Sequence, residues 1–395
     1  MRFRNWSQVV LIEDWRNGGF GVYVHWPFCE AKCPYCDFNS HVSRFIDQAR
    51  WLDAYKRQIE RYSAALPGRV VNSIFFGGGT PSLMKPEVVE GVIEKIRQCW
   101  PTANDLEVTL EANPSSVEAN RFLGYRDAGV SRISMGIQAL NDHDLKRLGR
   151  IHSVAEARSA FAVARNVFER VSFDLIYSRQ DQSPREWKSE LKIALDMAAD
   201  HISLYQLTIE DGTAFGDRYK AGKLKGLPDE DSAADMYLET QDICATAGFR
   251  GYEISSHALP GSESRHNLVY WRYGDYVGVG PGAHGRLTIN GERLATQEWS
   301  NPSKWLDLAM RSGAEMSRQA LSGPEQALEY ILMSLRLLEG ADLNRYEAMA
   351  GEPLSVKAIS ELVEMNLITN ESGRIRTTAQ GRPLLNSVLA HLVSS

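Results

Sequence analysis

The chain's 395 residues, 43% hydrophobic and 24% charged with no low-complexity run, describe a folded protein able to bury a real core and exclude disorder as the default. A net charge of -6 with no dense Lys/Arg block lacks the basic excess that binding a phosphate backbone requires, so no nucleic-acid partner is expected. No apolar run reaches the roughly 20 residues of a membrane span, and the start, MRFRNWSQVVLIEDW, is too acidic and too short in its apolar stretch for a signal peptide, so a cytoplasmic location is expected.

Residues 1–20 read as an N-terminal extension with no pattern of their own. The first β-branched run, GVYVHW (21–26), predicts a strand. The loop after it holds Cys29, Cys33 and Cys36 at C-x3-C-x2-C spacing, while Cys99 and Cys244 lie far away. An odd total so distributed is a poor disulfide framework, and three thiolates on one short loop read as a ligand set. A [4Fe–4S] cluster held by three cysteines keeps one iron open, and a zinc ion would draw a fourth ligand from His25 or His41. Thiols used as small core residues are the plain alternative. Spacing alone leaves all three open.

Helical spacing in AYKRQIERYSAAL leads to the strand SIFFGG (73–78) and a GGGTP turn, and PEVVEGVIEKIRQCW leads to LEVTLEANP (106–114). RISMGIQ (132–138), RVSFDLIY (170–177) and HISLYQLT (201–208) follow, with helical segments SVAEARSAFAVARNVF and SPREWKSELKIALDMAA between them. Alternating strand and helix is the pattern of βαβ units on a parallel sheet, so the fold class is α/β. Six units over residues 21–246 suit a doubly wound sheet or an incomplete (β/α)6 barrel. The barrel gains from where the chemistry falls. The cysteine loop follows the first strand and GGGTP the second; Glu111 ends the third, Gln138 ends the fourth, and Asp174 lies in the fifth. In parallel β/α folds such strand ends converge on one site.

Residues 247–315 turn aromatic and glycine-rich and read as a connector. From 316 to 395, helices, a hairpin at ITNESGRIRTT and a last helix predict a mostly helical, winged-helix-like domain. Its acids outnumber its basic residues, so a lid or docking surface is expected there and DNA binding is not.

YVHWPFCEAKCPYCDF, followed in order by FFGGGTPS, LEANP, SMGIQALND, LGRIHS and FDLIY, resembles the radical S-adenosylmethionine (SAM) superfamily. More narrowly it is similar to the branch of oxygen-independent coproporphyrinogen III oxidase and the haem chaperone of the HemW type. The resemblance runs from about residue 21 to the C-terminus. It implies a [4Fe–4S] cluster on Cys29, Cys33 and Cys36, with SAM chelating the open iron and yielding a 5′-deoxyadenosyl radical on reduction. It also implies SAM contacts at Tyr23, Tyr35, Asp37, Gly78, Gly79, Thr80, Glu111, Gln138, Arg150 and Asp174. Glycines let backbone approach the methionyl end, and Arg150 could hold a carboxylate through two donors. Taken singly, each has a plainer reading as turn, core aromatic, solvated acid or surface charge.

Two features of the resemblance favour the chaperone. Oxidases of this branch typically add a further cysteine two positions after the triplet, where this chain has Phe38. The segment RHNLVYW (265–271) matches an H-N-x-x-Y-W pattern, which makes His266, Asn267, Tyr270 and Trp271 candidate haem contacts. A helix cap with core aromatics is the plain reading, and His257 and His284 are rival ligands. The function implied is binding of haem and a SAM-ligated cluster and delivery of haem to respiratory acceptor proteins, by peripheral contact where these sit in membranes. Oxidative decarboxylation of coproporphyrinogen III is the alternative, and whether the chain is an enzyme stays open. A cluster near a loop surface could couple iron loading to a homodimer. One departure stands out: the family usually follows FDLIY with Gly-Leu-Pro-Gly-Gln, whereas this chain has SRQDQ at 178–182. Loss of the glycines and proline is expected to disturb that loop, near the SAM end of the barrel.

Overall fold

The computed structural model describes residues 14–43 and 45–394, so residues 1–13 of the expected extension lie outside it. Six strands, β1 (Phe20–Trp26), β2 (Val71–Gly78), β3 (Thr102–Ala112), β4 (Arg132–Gln138), β5 (Arg170–Tyr177) and β6 (His201–Gln206), pair side by side in that order and all in parallel. Between them run α1 (Gln48–Ala65), α2 (Pro86–Cys99), α3 (Phe122–Asp127), α4 (Val154–Val167) and α5 (Pro184–Met197), and α6 (Glu230–Thr246) follows β6. Alternation along each strand sorts the side chains by face. Val22, Val24, Ile74, Phe76, Val108, Leu110, Ile133, Phe173 and Ile202 belong to the main core that the helices cover. The opposite face carries Ser73, Thr109, Ser134, Ser172, Asp174 and Ser203. That side of the sheet is largely polar, apart from Tyr23 and Phe75, on which the His266 ring stacks.

The expected connector builds both edges of this sheet. Beyond β6 lie β7 (Arg250–Gly251) and β8 (Ser256–Ala258), with β8 paired to both β6 and β7. Beyond β1 lies β9 (Asp275–Val279), parallel to it, then β10 (His284–Ile289), β11 (Glu292–Glu298) and β12 (Glu315–Ala320), all antiparallel. The spatial order is β12-β11-β10-β9-β1-β2-β3-β4-β5-β6-β8-β7. The helix α7 (Arg265–Trp271) links the two edges, its first backbone N–H groups donating to Glu107 on β3. After α8 (Pro302–Ala309) and β12, a second core forms from α9 (Gly323–Ser334), α10 (Leu343–Ala350), α11 (Val356–Glu364), α12 (Leu385–Val393) and a small sheet of β13 (Ala341–Asp342), β14 (Ile368–Glu371) and β15 (Arg374–Thr377). This is the mostly helical, winged-helix-like unit expected at the C-terminus, with residues 316–320 given to the large sheet.

The loop 178–182 keeps the backbone that glycines would have allowed. Ser178 has φ 58° and Asp181 φ 59°, the left-handed region, at the two positions where the family's usual turn places glycine. Polar contacts hold this shape and replace the expected disturbance. Buried Arg179 pairs with Asp144 at 2.8 Å and Glu190 at 2.5 Å, Gln180 donates to Lys225 O at 2.6 Å, and Arg147 pairs with Asp181 at 2.9 Å. Ser178→Gly should relieve backbone strain and stabilise the fold by roughly 0.5–1 kcal/mol. Asp181→Gly should be close to neutral, because aspartate tolerates this conformation and the change removes an exposed ion pair. Urea midpoints at unchanged slope check both, and a Ser178→Gly protein with a lower midpoint would contradict the strain argument.

Candidate cofactor site at the open end of the barrel

The C-terminal ends of β1 to β5 and the loops beyond them enclose an open cavity of about 160 Å³. Cys29, Cys33 and Cys36 line it together with Tyr35, Gly78, Gly79, Thr80, Glu111, Gln138, Arg150 and Asp174. Residues from six separate segments thus converge as the strand-end argument expects.

The cysteine loop is anchored by backbone and not by its thiols. Phe215 N donates to Pro34 O at 2.8 Å, His41 N donates to Pro27 O at 2.7 Å, and Thr80 N donates to Phe28 O at 2.8 Å. Asn39 reaches the segments that follow β9 and β11, its Nδ2 donating to Pro281 O at 2.8 Å and Ser300 O at 2.9 Å. Burial pushes the Cys29 and Cys36 thiols up, and the Thr80 and Ser40 hydroxyls beside Cys29 work against that shift. The positive charge comes from Arg150, whose Nη1 lies 3.5 Å from Cys33 Sγ while Nη2 donates to Asn113 Oδ1 and Gly136 O, both at 2.8 Å.

Glycine is required here by contact. A Cβ on Gly78, at φ 108°, would lie 2.6 Å from the His25 ring, and one on Gly79 would lie 2.6 Å from Phe28 O. Gln138 has φ 74° without being glycine, and its buried Oε1 has no partner among the described residues. Strain together with an unmet acceptor marks a group held ready for a ligand. Two acids face the same space. Burial and the neighbouring Asp174 charge push Glu111 up to about 8, against the Gly78 N–H that its carboxylate accepts. Burial pushes Asp174 up to about 6, against a hydrogen bond from Ser203 and the Arg132 and Arg150 charges.

These residues fit the cofactors the sequence implies. Three thiols near a guanidinium suit an anionic iron–sulfur cluster. A backbone wall with no room for Cβ, plus two carboxyl groups and an unmet amide oxygen, suits a ligand rich in N–H and O–H donors. Zinc is less well served. His25 has both ring nitrogens engaged, by Tyr23 OH at 3.0 Å and Asn39 O at 2.9 Å, and His41 bonds Asn39 Oδ1 at 3.1 Å.

Two expected contacts lie outside the lining. Tyr23 sits deeper on β1, bonded to His25 and stacked on Phe75 with ring centroids 6.3 Å apart. Asp37, next to Cys36, is exposed and does not line the cavity. Asn113, Gly136 and Gly149 line the cavity and were not singled out from the sequence; Asn113 stands inside the LEANP run that carried part of the resemblance.

The HNLVYW helix divides its residues between two faces. His266 and Tyr270, one turn apart, turn inward: His266 Nδ1 bonds Ser73 Oγ at 2.8 Å, Nε2 bonds Tyr270 OH at 2.7 Å, and the ring stacks on Phe75 at 5.0 Å. Burial alone lowers the His266 pKa to about 3. Asn267 and Trp271 turn the other way, toward Tyr252 and Leu337. Ser264 caps the helix, and the His266 imidazole is engaged by Ser73 and Tyr270. His257 is likewise buried, its Nε2 near Gln241 Oε1 at 3.3 Å, whereas His284 is exposed.

Comparison with known proteins places this geometry. Residues 23–192 match the model of the radical SAM superfamily and residues 321–384 that of the HemN C-terminal domain. Heme chaperone HemW of Escherichia coli is 36% identical over 373 residues, covering 93% of this chain and 96% of that protein. The mitochondrial radical S-adenosyl methionine domain-containing protein 1 of Bos taurus is 38% identical, covering 94% and 87%. Among solved structures, the coproporphyrinogen III oxidase HemN of E. coli superposes with a TM-score of 0.79 at 22% identity, covering 99% of this chain and 93% of that one, which bears on fold alone.

Proposed function

The chain belongs to the radical SAM superfamily, in the branch of the HemW haem chaperones, and from that membership we propose that it binds haem beside a SAM-ligated [4Fe–4S] cluster and delivers the haem to acceptor proteins. The observation that carries the chaperone reading is end-to-end similarity to proteins named for it, at 36% identity, with Phe38 where the oxidases usually add a cysteine. When bound and reduced, the cluster and SAM together supply one-electron chemistry at the sulfonium.

The chain's own residues prepare that site. Cys29, Cys33 and Cys36 would hold the cluster, and Arg150, 3.5 Å from Cys33 Sγ, would offset its negative charge. Gly78, Gly79 and Thr80 offer backbone to the amino-acid end of SAM, while Glu111, Gln138 and Asp174 accept from its donors and Tyr35 closes the rim. Tyr23 acts through His25, whose bond to Asn39 O braces the cysteine loop from below.

No helix among the described residues is long and apolar enough to cross a membrane, so membrane-borne acceptors would be met peripherally. Phe38, Val42, Phe45 and Ile151 are exposed on or next to the cluster loop, an apolar rim through which cluster loading would favour a homodimer. The deciding experiment is a haem titration of anaerobically reconstituted protein, read at the Soret band, beside an assay with reductant, SAM and coproporphyrinogen III. Saturation near one haem per chain with no catalytic carbon dioxide release is expected. Multiple turnovers of decarboxylation would replace the chaperone with the oxidase.

A further inference from the structure

Resting on the SAM-binding reading above, we propose that Arg179 is a positioning residue for the cofactor site: its clamp on Glu190 and Asp144 holds the exit of β4 so that the Gln138 amide is presented to SAM. Gln138 lines the cavity with a left-handed backbone, φ 74°, and a buried acceptor that nothing among the described residues meets. The β4–β5 register slips between Met135 and Gln138, resuming at Gln138↔Leu175. Such an irregularity re-aims a side chain, and a residue left in that conformation persists only where its surroundings over-determine it. Here the surroundings are ionic.

Two residues on, Leu140 N donates to Glu190 Oε1 at 2.6 Å, which fixes the chain as it leaves β4. Glu190 stands on α5, and its other oxygen accepts from Arg179 Nη2 at 2.5 Å and from Gln182 Nε2 at 3.1 Å. The same guanidinium donates through Nε to Asp144 Oδ2 at 2.9 Å and through Nη1 to Ile176 O on β5. Asp144 lies in the first turn of the short helix Asp142–Arg147, which leads on to Arg150, whose N donates to Leu145 O at 2.8 Å. One side chain, 3% exposed, thus ties β5 and α5 to both ends of the segment between Gln138 and Arg150. A lysine ammonium lacks the planar fork that serves these three directions at once. A buried ion triad adds little net stability, because desolvation offsets its attraction. What this one supplies is geometry, on the segment that carries two groups of the cofactor site. The loop 178–182 brings the guanidinium where the family usually has a turn of glycines and proline, so in this chain a clamp replaces the turn.

The test measures SAM affinity by anaerobic calorimetry in cluster-loaded wild type, Arg179→Lys, Gln138→Asn and the double variant, with melting curves and iron content as controls. Arg179→Lys keeps the charge but not the fork, and Gln138→Asn keeps a residue that tolerates the left-handed backbone while withdrawing the amide oxygen. Each single variant is expected to bind SAM roughly fivefold to tenfold more weakly at wild-type iron content, and the double variant no more weakly than the weaker single, because both act through one contact. A merely structural arginine would lower the melting temperature and leave SAM affinity alone, or weaken it by the same factor with Gln138 and without it. Either result overturns the assignment. If Arg179→Lys melts well below wild type, Glu190→Gln takes its place: an oxygen stays on Leu140 N while the charge that grips Arg179 goes. The same non-additivity with Gln138→Asn is expected there, and additive losses overturn the assignment equally. A wild type that holds its cluster and binds no SAM would instead sink the SAM reading, and the positioning role with it.

Discussion

A Cys33→Ala protein, reconstituted anaerobically beside wild type, is expected to fall from about four irons per chain to nearly none and to lose the visible charge-transfer band. Two remaining thiolates cannot hold three corners of a cubane, and Cys33 is the one whose sulfur faces the Arg150 guanidinium. The fold should survive, because the loop is shaped by backbone contacts at Pro27, Phe28 and Pro34 and by Asn39, none of which involves a thiol. Melting curves of the metal-free proteins should therefore coincide. Cys244→Ala makes the matching control: that thiol is fully buried in the main core and pushed by burial to about 12, so its loss should cost about 1 kcal/mol of stability and no iron. Retention of the band in Cys33→Ala, or zinc without iron in the wild type, would end the cluster assignment.

The barrel was legible because β-branched strand runs alternate along the chain with segments of helical apolar spacing. Its edges were not. β9 and β10 are short and interrupted by Gly278, Gly280, Gly282 and Gly285, which read locally as turns. β9 is placed by pairing with β1, more than 250 residues away in the chain, and β10 in turn pairs with β9 and β11. Within the site, the cysteines announce themselves by spacing. Arg150 is marked out only by the LGRIHS run that carries the resemblance, and its approach to Cys33 was not legible, since it depends on Asn113 and Gly136 O holding its guanidinium. The haem motif is the opposite case, in which a pattern was legible and its placement was not. His266 and Tyr270 at i and i+4 had to share a face, but only the packed structure puts that face against Ser73 and Phe75.

Glu111→Gln should stabilise the ligand-free protein while weakening SAM binding, and both effects should depend on pH. Burial and the Asp174 charge raise the Glu111 carboxyl from its ordinary 4.5 to about 8. Between those values the folded state keeps a proton that the unfolded chain gives up, so stability falls as pH rises through that window. Glutamine retains an oxygen for the Gly78 N–H but carries no charge. The variant should therefore melt higher than wild type at pH about 8, by an amount on the order of a few kcal/mol at most, and the gap should close by pH about 4. SAM reverses the balance. Its donors and positive charge favour the ionised carboxylates of Glu111 and Asp174, whose pKa values of about 8 and about 6 bracket neutrality, so binding should expel protons and tighten as pH rises. Calorimetry in two buffers of different ionisation enthalpy measures that release directly. In Glu111→Gln the release should shrink, affinity at pH about 8 should drop by roughly tenfold or more, and the remaining pH dependence should follow Asp174 alone. Equal proton release in the two proteins would mean that Glu111 does not face the ligand. A variant that melts lower at pH about 8 would mean that its carboxyl is not held protonated. Either result separates a group poised for SAM from an acid that happens to be buried, because only a poised group trades folding stability for binding in this direction.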